Sequence, residues 1–377
     1  MSNHTFRIVR PGWSLIVVAG VVLIAMDILT GILFLQGAEN EDKLLKDARD
    51  AFQPLPKDAS TAEFPVTPER VALGRQLFFD PRISVDGTGS CMRCHQPALY
   101  GADGLAKSRG VQDKLLPRNA PTVLNAGLHF KIHWDGVFAN VEEQARKALL
   151  GPAFGNPDFA SAMNKIKGIA GYPELFHKAF PDDADPVNEG NWGKAIGAYE
   201  RTLITPSRFD EFLNGKSNAL SAAETRGLRT FLDTGCADCH NGALIGGMSF
   251  EKFGVNGDYW NETNSQEIDE GRFKVTKAVD DKYVFKVPSL RNVAMSPPYF
   301  HDGSVSSLSK SVRIMAKLQL DKALADTETN DIVKFLESLT GTLPENFANA
   351  PILPAGAFNS TESSSISHSD AHRAPAK

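Results

Sequence analysis

The sequence predicts a mainly α fold: two related helical units with long loops, preceded by an apolar N-terminal helix. Three observations carry this. Apolar residues recur at helical spacing in Pro68-Glu-Arg-Val-Ala-Leu-Gly-Arg-Gln-Leu-Phe-Phe, in Ala195-Ile-Gly-Ala-Tyr-Glu-Arg-Thr-Leu and in Asp331-Ile-Val-Lys-Phe-Leu-Glu-Ser-Leu. Gly, Pro and Asn punctuate the connections 81–90, 101–120 and 241–290, and no series of alternating strands appears between them. A short helix leading to one five-residue motif occurs twice: Gly74-Arg-Gln-Leu-Phe78-Phe-Asp80 before Cys91, and Gly227-Leu-Arg-Thr-Phe231-Leu-Asp233 before Cys236.

Taken in chain order, the apolar run Trp13–Leu35 is long enough to span a bilayer as a helix, which takes about 20 residues. Arg7 and Arg10 precede it, and Glu39, Glu41 and Asp42 are the first charges after it, so the positive-inside rule exports the bulk of the chain. Gly37-Ala38 is a poor cleavage site, so a retained anchor is expected rather than a signal peptide. Residues 38–66, with Pro54, Pro56 and Pro65 among charges, read as a linker with a short helix. The repeat divides the rest into units at 67–210 and 211–343. Residues 344–377, rich in Ser, Ala, Pro and Asn, read as a disordered tail. A net charge of −5 and a pI near 6.0 leave no basic surface for nucleic acid, and four cysteines are too few for a disulfide scaffold at 377 residues.

All four cysteines lie in two C-x-x-C-H motifs, Cys91-Met-Arg-Cys94-His95 and Cys236-Ala-Asp-Cys239-His240. In this spacing two thiols form thioethers with haem vinyl groups while the adjacent imidazole ligates the iron. A structural zinc site needs four ligands, and each motif supplies three. The sequence therefore predicts two covalently bound c haems. What fills the sixth position of each iron decides between electron transfer and peroxide or oxygen chemistry. After His240 the candidates are Met248, Met295, His301 and Met315, and composition alone does not choose among them.

From Thr67 to Gly341 the chain resembles the bacterial di-haem cytochrome c peroxidases. The residues that carry the resemblance are Leu77-Phe-Phe-Asp-Pro-Arg, Arg118-Asn-Ala-Pro-Thr-Val-Leu-Asn125, Trp134-Asp-Gly136, Glu142-Glu-Gln144, Val287-Pro-Ser-Leu-Arg-Asn-Val293 and Pro298-Tyr-Phe-His-Asp-Gly303. It implies two cytochrome c-like domains, with a peroxidatic haem in the first and a high-potential electron-entry haem in the second. It also implies hydrogen peroxide as substrate and a small cytochrome c, cupredoxin or quinol-linked donor on the periplasmic side of the inner membrane. A homodimer and a calcium ion between the domains complete the expectation. By position, the resemblance makes Met315 the distal ligand opposite His240 and Glu142 the acid–base group over the peroxide site. It places calcium at Asn119 and at the carbonyls of Ser296 and Pro298.

The departures are specific. Where many members carry a histidine that caps the peroxidatic iron, this chain has Val111, which cannot ligate iron. The distal Gln is matched by Ile132, the Phe before Trp-Asp-Gly by His133, and the Arg after it by Val137. His133, or else His129, is the candidate replacement donor. A membrane-anchored electron-transfer or gas-sensing cytochrome is the alternative from another class. A related di-haem enzyme that oxidises tryptophans of a partner protein has Tyr where Met315 stands, which counts against that reading.

Overall fold

The computed structural model describes residues 42–355. Its helices are, in order, α1 (42–51), α2 (Pro68–Phe79), α3 (Cys91–Cys94), α4 (Val141–Ala148), α5 (Phe159–Gly168), α6 (Tyr172–Ala179), α7 (Glu189–Glu200), α8 (Arg208–Leu213) and α9 (Ala222–Thr234). After them come strand β1 (Phe250–Lys252), α10 (Tyr259–Thr263), α11 (Phe273–Thr276), strand β2 (Val284–Lys286), α12 (Leu308–Leu320), α13 (Asp326–Ser338) and α14 (Glu345–Ala348). β1 and β2 pair antiparallel with Phe250 opposite Lys286. The expected anchor at 13–35 lies outside the described residues, and no described helix is long and apolar enough to cross a membrane.

The repeat is built around one helix crossing, used twice. α2 crosses α7 and α9 crosses α13, and the conserved spacing of the repeat puts a glycine at each crossing. A Cβ on Gly74 would collide with the carbonyl oxygen of Ala195, and one on Gly227 with that of Asp331. Glycine is what lets the backbones meet. One turn further along each crossing, an aromatic pair seals the core: Phe78 edge-on against Tyr199 at 5.3 Å and Phe231 tilted against Phe335 at 5.2 Å.

The duplication extends beyond these helices. Asn125 and Asn292 both adopt left-handed backbone (φ 61° each), each before a 3₁₀ turn, Ala126–Leu128 and Val293–Met295. His133 and Phe300 sit at φ 69° and 70°, Gly136 and Gly303 at 65° and 62°. The bridge Ile132–Phe138 in one unit answers Tyr299–Val305 in the other. These pairs, together with the first residues of α4 and α12, stand at one constant sequence separation. The two halves meet on Thr205: its hydroxyl accepts the side-chain amides of Asn125 (2.9 Å) and Asn292 (2.8 Å).

Both ends of the described chain pack into the cores: α1 is the short helix expected in 38–66, while 344–355 is ordered where the sequence predicts a tail. α1 buries Leu44 and Ala48, with Phe52 just beyond it, in the core of the second unit, where Phe52 lies 5.5 Å from Phe209. The segment after 344 is helical at Glu345–Ala348 and buries Phe347 in the core of the first unit, 6.2 Å from Phe78. Arg75 holds it through the carbonyls of Asn346 and Asn349. Each unit is thus completed by a strap from the far end of the chain. The rest of the expected tail, beyond 355, lies outside the described residues.

Candidate di-haem site

Each C-x-x-C-H segment winds one tight turn, and the amide of each histidine donates to the carbonyl of its first cysteine, His95 to Cys91 and His240 to Cys236, both at 3.0 Å. That turn brings two thiols and an imidazole to one side. In each case Nδ1 faces a backbone carbonyl, Gly101 for His95 at 2.9 Å and Ile245 for His240 at 3.3 Å, with the carbonyl of Pro121 or Pro288 beside the ring. A carbonyl on Nδ1 leaves Nε2 as the lone-pair nitrogen for iron. Burial lowers the pKa of both imidazoles, His240 to about 4, so both are neutral and ready to ligate. The four thiols are free of disulfides, and burial pushes those of Cys94 and Cys236 up to about 11.

A cavity of about 250 Å³ opens on His240, Cys236 and Cys239. Met315, on α12, lines the same cavity, with Phe231, Leu290, Val312 and Leu336 among its apolar walls. Thiols, imidazole, thioether and apolar surface on one space fit a covalently held haem. Of the four sequence candidates, Met248 and Met295 are exposed. His301 is 2% exposed and stacked on Phe285 at 4.3 Å, and its Nε2 has no hydrogen-bond partner.

The cavity continues towards the first unit past His129, His133, Trp134 and Asn119, with Ser296 and Pro298 on its wall. The three expected calcium residues thus all line this cavity. The Asn119 amide donates to the His301 carbonyl (2.8 Å), and the Trp134 indole donates to the Asn119 carbonyl (2.9 Å). Asn119 Nδ2 donates to the Leu105 carbonyl at 2.8 Å, and its Oδ1 takes no hydrogen bond among the described residues. His133 packs edge-on against Phe138 at 4.8 Å. Burial is the main cause of its pKa falling to about 4; the Asp135 carboxylate opposes the fall, and the positive charges of Arg118 and Lys286 add to it. Neither ring nitrogen of His133 has a partner among the described residues.

Two of the expected positions are held firmly in place. Val111 is fully buried against the backbone of Gly89 and Gly155, and its amide donates to the Pro152 carbonyl at 3.0 Å, so the capping loop is pinned to the 152–155 turn. Glu142, the expected acid–base group, is engaged in a buried ion pair. Arg201 holds both its oxygens, Nε to Oε1 at 2.7 Å and Nη2 to Oε2 at 3.0 Å, with both residues buried at 6% and 5% exposure. The chain of Glu142 lies against Gly193 and Gly197 of α7, and Arg201 also donates to the carbonyls of Ala59 and Gly127. A carboxylate forked this way is an anchor joining α4 to α7. The sequence offered no sign of this pair, because its members are far apart in the chain.

A model of the di-haem cytochrome c peroxidases matches residues 68–218. The chain is 39% identical over 323 residues to the cytochrome c551 peroxidase of Pseudomonas aeruginosa, covering 83% of this chain and 90% of that one. It is 33% identical over 298 residues to the methylamine utilization protein MauG of Methylorubrum extorquens, covering 74% and 82%. Among solved structures, a MauG-like protein associated with microbial copper homeostasis superposes with a TM-score of 0.67 at 26% identity, covering 78% of this chain and 96% of that one. The paired motifs, the doubled helix crossing and these relatives agree: the chain belongs to the di-haem cytochrome c peroxidase family.

Proposed function

We propose that the protein is a c-type peroxidase that reduces hydrogen peroxide to water, with electrons entering at the C-terminal haem from a small periplasmic donor. The observation that carries this reading is the asymmetry of the two units. The constant separation that relates Asn125 to Asn292 and Val141 to Leu308 relates Ala148 to Met315. Met315 on α12 lines the cavity of the second site, and the residue at the matching position of α4 is Ala148, whose methyl group has no lone pair for iron. With Val111 in the capping loop as well, the first site keeps His95 and offers no second ligand from either position.

Bound at these sites, haem would supply the iron redox chemistry. The residues around it then have separate duties. His95 and His240 are oriented by the carbonyls of Gly101 and Ile245. Met315 would raise the potential of the second site and suit it to accept electrons. His133, neutral and without a hydrogen-bond partner among the described residues, would take a proton from the near peroxide oxygen and return it to the far one, so that water leaves instead of hydroxide. Asn119 Oδ1 with the Ser296 and Pro298 carbonyls is an oxygen set suited to calcium. Residues 13–35 would anchor the chain to the inner membrane.

Steady-state peroxide consumption with a reduced small cytochrome tests the reading. The fully oxidised protein is expected to react with peroxide without prior reduction. Absence of turnover under both conditions would favour the electron-transfer or sensing alternative. Met315→His is expected to lower the potential of the second haem, because an imidazole replaces the thioether. An unmoved potential in spectroelectrochemistry would show that another residue ligates that iron.

A further inference from the structure

Lys286 is the last residue of β2 and only 8% exposed. Its backbone amide donates to the Trp134 carbonyl at 2.7 Å, which clamps the strand to the first unit. Its ammonium has no carboxylate partner among the described residues; the one hydrogen-bonding group beside it is His129 Nδ1 at 3.3 Å. An ammonium removed from water without a counter-ion is strongly disfavoured, so this position is built for an anion. The desolvation is reflected in a Lys286 pKa lowered to about 8 and a His129 pKa well below its ordinary value. His129 is therefore neutral. The Gly247 carbonyl also lies 3.4 Å from Nδ1, so two tautomers are open to the ring; in the one where Nδ1 accepts from the ammonium, the ring proton sits on Nε2 and adds a second N–H donor.

Both residues line the cavity that holds His240, Cys236, Cys239 and Met315. The other charged residues on that wall are spoken for or exposed: Arg291 pairs with Asp210 at 2.6 Å, and Glu251 faces solvent. We propose that Lys286 and His129 form a carboxylate-binding pair that holds a propionate of the C-terminal haem. This rests on the di-haem reading above. The apolar walls take the macrocycle, and the ammonium with the imidazole N–H takes the carboxylate. The pair also reaches across the domain boundary, since His129 belongs to the first unit and Lys286 to the second. The second haem is thereby tied to the first domain through its own side chain.

The test uses the holoprotein and the variants Lys286→Gln, Lys286→Arg and His129→Phe. Haem content is read by pyridine haemochrome and the two potentials by spectroelectrochemistry. Removing the cation leaves the propionate uncompensated, which favours the ferric state. Lys286→Gln is therefore expected to keep two haems and lower the C-terminal potential, with Lys286→Arg close to wild type. His129→Phe is expected to shift the same potential in the same direction by less. An unchanged potential in Lys286→Gln, an equal shift in Lys286→Arg, or a shift confined to the N-terminal haem would overturn the proposal. If Lys286→Gln does not accumulate, His129→Phe alone decides by the same criterion. A wild-type protein without two haems would instead overturn the underlying reading.

Discussion

Replacing Glu142 with Gln is expected to lower the thermal midpoint of the holoprotein by roughly 10 °C, while peroxide turnover per folded molecule stays within a few-fold of wild type. Breaking a buried pair by removing one partner costs about 3–5 kcal/mol, because the surviving charge is left uncompensated. For a unit the size of the first one, about 150 residues, each kcal/mol is worth about 2–4 °C. The survivor here would be Arg201, 5% exposed and fixed by the carbonyls of Ala59 and Gly127, so it has no route to water. Calorimetry and steady-state kinetics on the same sample check both halves. A variant of normal stability that has lost turnover would return the proton-carrying duty to Glu142.

The second large effect is expected at His133. His133→Ala should keep both haems and lose peroxide turnover by roughly 10²-fold, the usual scale for a positioned proton carrier. Low-temperature EPR of the oxidised wild type separates this from a capping role. A strong high-spin ferric signal belongs to an open first site with His133 acting from a distance. Two low-spin signals, one of which turns high-spin in His133→Ala, would make His133 the iron's sixth ligand and overturn the donor assignment.

Local chemistry was legible in the sequence and long-range pairing was not. The two C-x-x-C-H turns, the helices that precede them and the repeat at Gly74 and Gly227 were all readable, because each is encoded within a dozen residues. The fuller extent of the duplication was also present, in Asn125 and Asn292 and in Gly136 and Gly303, but it shows only when one separation is tested across loops of different sequence. The Glu142–Arg201 pair has no local signature: a Glu at a helix start reads as solvated unless its distant partner is known. Phe52 and Phe347 were missed for a related reason. Each is a single aromatic in a segment rich in charge, proline or small residues, and a lone anchor has no period to detect.

The crossed straps carry a consequence for how the molecule is made. A chain synthesised from its N-terminus has α1 in hand when the second unit emerges, so that core can close as soon as α13 is complete. The first unit cannot: its core waits for Phe347, nearly the last described residue, although its own helices were finished long before. As haem-attachment thiols, Cys91 and Cys94 would stay within reach of the attachment machinery for most of the chain's production. The earlier motif would then have the longer interval in which to acquire its haem before α14 closes over Phe78 and Tyr199.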